Sequence, residues 1–220
     1  ISNITTTFDN ESGYFPIVER DEHGFNNPKG LYNKNKVDIV LTGDSFTEGW
    51  SVHPDETIGA VLRKIGFTTI SVGTSGNGPL KELAAIKEYA EPLKPKIVLW
   101  LFFRNDVRNL KSEMQEPLLR KYLYEREFSQ NLISRQGEID DILIGIANKA
   151  WENERDREES TLDTLYQILK FTYIRKYLNV HPKALPLEEK HGELFSKILH
   201  KSNEIVSGWG GQLYIVYLPQ

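Results

Sequence analysis

The sequence predicts an α/β fold built on a parallel β-sheet, and three patterns in its 220 residues support this prediction. Short apolar segments alternate with segments whose apolar residues recur at helical spacing, as in repeated strand–helix units. Residues 97–103 form an unbroken apolar run, which is typical of a central parallel strand covered on both faces. Gly43 and Gly73 end the first two apolar segments, where turns are expected.

Four strands and three helices are predicted for the α/β part of the chain. Residues 55–65 carry apolar side chains at helical spacing. Pro79 lies in the first turn of the next helix, where proline is favoured because that position needs no N–H donor. The predicted strands occupy 37–42, 67–72, 96–103 and 213–218, and the predicted helices occupy 55–65, 79–90 and 187–206.

Two further segments interrupt the strand–helix alternation. Residues 1–36 are rich in Asn, Asp, Gly and Thr, which predicts an N-terminal arm of extended chain and turns. Residues 111–186 contain no good strand, but amphipathic helical patterns over 139–150 and 162–177. We therefore predict an N-terminal arm over 1–36 and an α/β domain over 37–220, which a helical insertion at 111–186 interrupts.

Composition excludes several classes of function. The chain has 27 Lys and Arg against 31 Asp and Glu, so no basic excess favours nucleic acid or an anionic membrane surface. It has no cysteine, which excludes disulfides, thiolate metal sites and cysteine nucleophiles. Because Met114 is the only methionine, we expect the chain to be part of a longer protein.

Polar and glycine-rich segments follow the first three predicted strands, at 43–49, 73–79 and 104–106. The carboxyl ends of parallel strands share one edge of the sheet, where α/β proteins bind ligands. Ser45, Gly76 and Asn105 would then supply a hydroxyl, a close backbone N–H and a side-chain amide, a set that suits acyl transfer. Taken alone, each residue also has a purely structural explanation: Ser45 as a helix cap, Gly76 as a turn residue and Asn105 as a loop residue.

The motifs Gly43-Asp44-Ser45, the Gly76 loop and Asn105-Asp106 resemble the first three sequence blocks of the SGNH (GDSL-type) hydrolases. The resemblance implies a three-layer α/β/α, flavodoxin-like fold and a serine esterase activity without metal or cofactor. It implies Ser45 as nucleophile and first oxyanion donor, with the Gly76 N–H and the Asn105 side chain as the other two donors. Gly73 competes with Gly76 for the glycine role, and Asp44 would brace the loop.

The segments 24–28 and 78–96 are similar to those of a bacterial subgroup linked to cell-surface polysaccharide. This resemblance implies a small-molecule or carbohydrate ester as substrate and a periplasmic or extracellular location. It also implies a membrane tether outside this chain. The helices of 111–186 are candidates for a lid or a surface for a protein partner.

The sequence departs from the family pattern in two places. Arg104 stands where the family usually has glycine, and we interpret it as an exposed, paired residue. The fourth block, Asp-x-x-His, is not found, and only His191 has an acid three residues earlier, Glu188, at a position before the last strand. We interpret all five histidines as surface residues.

Three readings of function stay open at this stage. We expect the catalytic Asp and His to follow Gln220, which would make the protein a serine esterase. The same serine could serve a carbohydrate O-acetyltransferase. Without a base, the chain would be an inactive polysaccharide-binding or scaffold protein. Phosphoryl chemistry on Asp44 is disfavoured because Phe46 stands where a second aspartate would be needed.

Overall fold

The computed structural model describes residues 1–8, 13–34, 36–104, 106–158 and 189–218, with the backbone alone at 153–158 and 189–191. The chain divides into two compact units. One consists of Ile1–Gln136 with Glu188–Gln220, and the other is Gly137–Leu187.

A small antiparallel sheet lies in the segment predicted as an arm of extended chain and turns. Its strands are β1 (Thr5–Thr7) and β2 (Ile17–Glu19), and Thr6 pairs with Val18. Val18 is fully buried whereas Ile17 on the opposite face is exposed. Strands of three residues are too short to show the alternation that identifies a strand in a sequence.

The main sheet contains four strands, β3 (Ile39–Gly43), β4 (Thr69–Ser71), β5 (Ile97–Phe102) and β6 (Gln212–Tyr217). All are parallel, in the spatial order β4-β3-β5-β6. Their bounds agree with the predicted strands to within two residues. Helices flank this sheet, so the predicted α/β class is confirmed, and the arrangement is consistent with a three-layer α/β/α fold.

Seven α-helices and two short non-α turns occur in the described residues. The Thr57 hydroxyl caps α2 by accepting a bond from the Ala60 N–H at 3.1 Å, and Pro79 begins α3. The helices are α1 (Ser45–Glu48), α2 (Ile58–Lys64), α3 (Pro79–Ala85), α4 (Asp106–Glu113), α5 (Pro117–Tyr124), α6 (Gln136–Glu158) and α7 (Glu189–Gly208). A π-helical turn at Ile86–Ala90 continues α3, and a 3₁₀ turn at Leu132–Arg135 precedes α6.

The main hydrophobic core lies around α3, which contacts β3, α4, α5 and α7. Leu80, Leu83 and Ile86 are fully buried there, as is Trp100 of β5. The Trp100 indole N–H donates to the buried Glu82 carboxylate. This bond satisfies the one polar group of the tryptophan side chain. The first helices of the predicted insertion, α4 and α5, thus pack on α3 within the unit that contains the sheet.

The buried carboxylate of Glu88, in the π-helical turn that continues α3, binds the segment after α5. It accepts bonds from the Tyr122 hydroxyl at 2.6 Å and from the backbone N–H groups of Gln130 and Leu132 at 2.6 and 2.9 Å. Ser129 adds a hydroxyl bond at 3.1 Å. Four donors around one carboxylate fix the path of the chain between α5 and α6.

The unit Gly137–Leu187 is described only as far as Glu158, where α6 ends. The predicted helix over 139–150 is confirmed by α6, and the pattern at 162–177 lies outside the described residues. Ile142, Ile146 and Trp151 are exposed on α6. No helix among the described residues is both long and apolar enough to span a membrane.

Candidate functional site

Ser45 is the first residue of α1, directly beyond the carboxyl end of β3. The side chain of the preceding Asp44 caps this helix by accepting a bond from the Phe46 N–H at 3.1 Å. The half-buried Ser45 hydroxyl lies 3.5 Å from the second Asp44 oxygen. The N–H groups of Phe46, Thr47 and Glu48 all donate to Asp44, and α1 has only four residues, so neither these groups nor a long helix dipole would stabilise an anion here.

Gly76 and Gly73 have different structural roles, although both follow β4. A Cβ atom on the buried Gly73 would lie 2.6 Å from Thr47 Cγ2 and 2.9 Å from the Glu48 nitrogen, so glycine is needed for α1 to approach. Gly76 is exposed, has φ +79°, and a Cβ there would meet no atom within 4 Å. The Gly76 backbone is therefore open to a ligand, whereas Gly73 is a packing contact.

Asn105 itself lies outside the described residues, but the residues on both sides of it are placed. A buried Asp106 oxygen accepts a bond from the Phe103 N–H at 2.8 Å and so closes the turn after β5. Burial, together with the neighbouring Asp44 carboxyl, raises the pKa of Asp106 to about 8. Burial beside Asp44 therefore favours the neutral form of this aspartate.

The strand order β4-β3-β5 brings the three loops that carry the predicted site residues to one edge of the sheet. Direct bonds join them. The Thr74 N–H donates to the Gly43 carbonyl at 3.2 Å. The Asn109 side chain, from α4, donates to the carbonyls of Gly76 and Asn77 at 3.3 and 3.2 Å. The loop after β4 is therefore held by the end of β3 and by α4, the helix that follows β5.

Glu48, the last residue of α1, bonds to the loop after β4, and the sequence patterns did not predict this role. It is 3% exposed, and its two oxygens accept bonds from Arg20 Nη1 and from the Ser75 backbone N–H, both at 2.7 Å. A helix of four residues has no apolar period, so no sequence signal marks which of its residues points inward.

The segment 24–28 that supported the bacterial subgroup contributes two buried asparagines. Asn26 donates to the Glu48 carbonyl at 2.8 Å, which ties the N-terminal segment to α1. Asn27 donates to the Ser71 carbonyl at 2.8 Å and accepts from the Ser71 N–H at 2.9 Å, along the edge of β4. These residues support the site and do not face it.

The described histidines do not supply a base for Ser45. His53 is exposed and paired with Asp55, and His200 is exposed. The interpretation of all histidines as surface residues is wrong for His23, which is half-buried with its ring against Tyr32 and Nδ1 3.1 Å from the Gln136 amide oxygen. Among the described side chains, none other than Asp44 is bonded to the Ser45 hydroxyl.

Two aromatic residues and a cation lie next to the predicted site residues in the sequence: Phe46 follows Ser45, and Phe103 and Arg104 precede Asn105. Phe46 is 49% exposed and packs on Phe103 with ring centroids 4.7 Å apart. Arg104 is exposed as expected, but it has no ion-pair partner within the described ranges. A cavity of about 650 Å³ lies elsewhere, lined among others by Asn27, Arg63 and residues of β2, and neither Ser45 nor Gly76 lines it.

No group of three or more His, Asp or Glu side chains in the described part of the chain is placed to bind a metal ion. Searches against protein-family models and against curated proteins found no match to this chain.

Proposed function

We propose that this protein is a serine ester hydrolase that acts on O-acyl esters, with acetyl esters of carbohydrate as the favoured substrate class. The observation that carries the proposal is the placement of the three predicted site loops. In the sequence, Ser45, Gly76 and Asn105 follow three adjacent parallel strands, and a bond from the Thr74 N–H to the Gly43 carbonyl joins the loops that carry Ser45 and Gly76.

The proposed reaction proceeds through an acyl-enzyme. The Ser45 oxygen attacks the ester carbonyl carbon and gives its proton to a base, and the carbonyl oxygen becomes an oxyanion. The N–H groups of Ser45 and Gly76 and the Asn105 amide would bind that oxyanion. The alcohol leaves with the proton, and water then releases the acyl group as a carboxylic acid and restores Ser45.

The step needs a base, and in the family that the chain resembles an Asp-x-x-His pair supplies it. Asp44 is unsuited to this role because its oxygens bond the Phe46 N–H and lie at the limit of hydrogen-bond distance from Ser45. The experiments below therefore use the full-length protein.

Fluorophosphonate labelling tests the nucleophile directly. We expect the full-length protein to gain one phosphonate adduct on the peptide that contains Ser45, and Ser45→Ala to gain none. The control variant is Ser112→Ala, which removes an exposed hydroxyl on α4 and keeps Ser45. It should label like the wild type. Absence of the Ser45 adduct in a protein shown to contain the downstream histidine would refute the proposal.

An O-acetyltransferase would form the same acyl-enzyme, and the aromatic pair Phe46 and Phe103 beside Ser45 offers a surface on which a sugar acceptor could stack. The two activities separate when p-nitrophenyl acetate is supplied with and without an oligosaccharide acceptor. A hydrolase releases acetate in both samples. A transferase releases p-nitrophenol faster with the acceptor and yields acetylated sugar by mass spectrometry. An inactive binding protein would retain the oligosaccharide without turnover.

A further inference from the structure

We infer that Glu48 is a positioning residue that holds the Ser75–Gly76 backbone in the geometry needed to bind the oxyanion, with Arg20 fixing the Glu48 carboxylate. This inference rests on the proposed function of Ser45. It adds a residue outside the predicted set of Ser45, Gly76 and Asn105, and it gives the N-terminal segment a part in the site.

The geometry at Glu48 joins three segments of the chain through one carboxylate. Its Oε2 atom accepts the Ser75 N–H at 2.7 Å, one residue before the proposed oxyanion donor Gly76. Its Oε1 atom accepts from Arg20 at 2.7 Å, directly after β2. Glu48 lies three residues after Ser45, so one short helix carries both the nucleophile and the group that holds the opposing loop.

The loop that carries Gly76 needs such a support because its own residues provide little. Thr74, Ser75 and Gly76 are exposed, and a Cβ atom on Gly76 would contact nothing. A bond from a backbone N–H to a buried carboxylate is stronger than one between neutral groups. The Glu48 bond therefore adds to those from Gly43 and Asn109 and fixes the backbone directly before Gly76.

The Arg20 side chain pairs with Glu48 and holds its carboxylate in one orientation. Arg20 is 16% exposed at its side chain, and its guanidinium lies 4.8 Å from the centre of the Phe8 ring. Phe8 in turn stacks on Trp50, with centroids 4.6 Å apart. This packing leaves Arg20 few other orientations, so the ion pair is held by Phe8, which follows β1, and by Trp50, two residues after α1.

Glu48→Gln is the variant that separates positioning from general support. The amide has one acceptor oxygen, so one of the two donors, Arg20 or the Ser75 N–H, faces an NH₂ group. We expect kcat for ester hydrolysis by the full-length protein to fall about 10- to 100-fold, short of the loss of a whole oxyanion donor. KM should stay within about threefold, because the effect is on the transition state.

Glu88→Gln is the matched control. Glu88 is also a buried carboxylate that accepts backbone N–H bonds, but its partners lie after α5 and not in the Gly76 loop. We expect it to lower the melting temperature at least as much as Glu48→Gln while kcat stays at the wild-type value. Equal losses of kcat in both variants would show that Glu48 acts only through overall stability.

Amide hydrogen exchange at Ser75 gives a measurement that does not depend on activity. We expect the Ser75 N–H to exchange at least about tenfold faster in Glu48→Gln than in the wild type or Glu88→Gln. If Glu48→Gln does not fold, Arg20→Met retains the apolar stem over Phe8 and should show a smaller change in the same direction.

The outcomes distinguish this inference from the proposed function. Wild-type exchange at Ser75 and wild-type kcat in Glu48→Gln would overturn the positioning role while Ser45 labelling still stands. A wild-type protein that neither labels at Ser45 nor turns over ester would overturn the proposed function and the catalytic meaning of Glu48, even if Ser75 exchange responds to Glu48→Gln.

Discussion

Asn27 pairs its side-chain amide with the backbone of Ser71 through two hydrogen bonds of 2.8 and 2.9 Å, as a neighbouring strand would. Ser71 ends β4, which lies at one edge of the sheet and leads into the loop that carries Gly76. One side chain of the N-terminal segment thus continues the edge of the sheet, where the described residues supply no further strand. The same amide donates to the buried Asp21 at 2.8 Å.

Asn27→Ala should destabilise the protein by about 2–5 kcal/mol, because it leaves the Ser71 N–H and carbonyl buried without partners. Urea unfolding measures this change. Asn33→Ala, an exposed position in the same segment, is the control and should change stability by less than about 0.5 kcal/mol. A loss equally small for Asn27→Ala would show that water replaces the amide at the edge of β4.

Substitution of the two glycines after β4 should separate packing from chemistry. Gly73→Ala forces a Cβ against Thr47 and the Glu48 nitrogen, so we expect a loss of stability of about 3 kcal/mol or more. Gly76→Ala meets no neighbour, and its φ of +79° costs about 1 kcal/mol. Thermal unfolding and kcat of the full-length protein check both.

Gly76→Ala retains the backbone N–H, but relaxation of the strained φ would turn that N–H away from the oxyanion, so we expect kcat to fall although stability falls by only about 1 kcal/mol. If Gly73→Ala instead folds stably and loses kcat selectively, the glycine role belongs to Gly73.

Asn105→Ala should lower kcat about 10²- to 10³-fold if its amide binds the oxyanion, with little change in KM. Steady-state kinetics of the full-length protein on an acetyl ester measure this. Asn33→Ala again serves as the control. An unchanged kcat would make Asn105 a residue of loop structure only.

The buried acid at Asp106 should make stability fall as pH rises. Its pKa is about 8 in the folded protein and near 3.8 when unfolded, so between these values only the folded state retains the proton. Asp44, Glu82 and Glu113 face the same cluster. Asp106 lowers the free energy of unfolding by at most about 1.4 kcal/mol per pH unit over roughly pH 4–8. Above pH 8 its contribution no longer changes with pH.

Asp106→Asn imitates the neutral acid and should remove this contribution. Urea unfolding at pH 5, 7 and 9 should therefore show the variant gaining stability relative to the wild type as pH rises. Glu204→Gln, an exposed carboxyl on α7, is the control. Parallel pH profiles for the wild type and Asp106→Asn would contradict a raised pKa at this residue.

The sequence predicted the four main strands because each is a short, apolar segment between turns, and burial of β3 and β5 requires that pattern. It did not predict β1 and β2, since Thr5–Thr7 is polar and three residues long. The π-helical turn at Ile86–Ala90 was predicted as α-helix, because five residues of either helix place apolar side chains inward at nearly the same spacing.

Within the candidate site, short motifs identified Ser45, Gly76 and Asn105, but not the groups that support them. Glu113 shows why. Its buried carboxylate accepts the N–H groups of Gly78 and Leu80 at 2.8 and 2.9 Å and so caps α3 from α4. Partners more than 30 positions apart leave no trace in local spacing, and only the packing of α4 on α3 brings them together.

The pairing of β5 with β6 sets the order in which the sheet can assemble. Ile97 pairs with Gln212, about 115 residues later, whereas β3, β4 and β5 lie within one short stretch. Closing so long a loop costs more entropy than joining neighbouring strands, so the three strands that carry Ser45, Gly76 and Asn105 can pair first during synthesis. Strand β6 then docks last, so the sheet is complete only after the longest of these loops has closed.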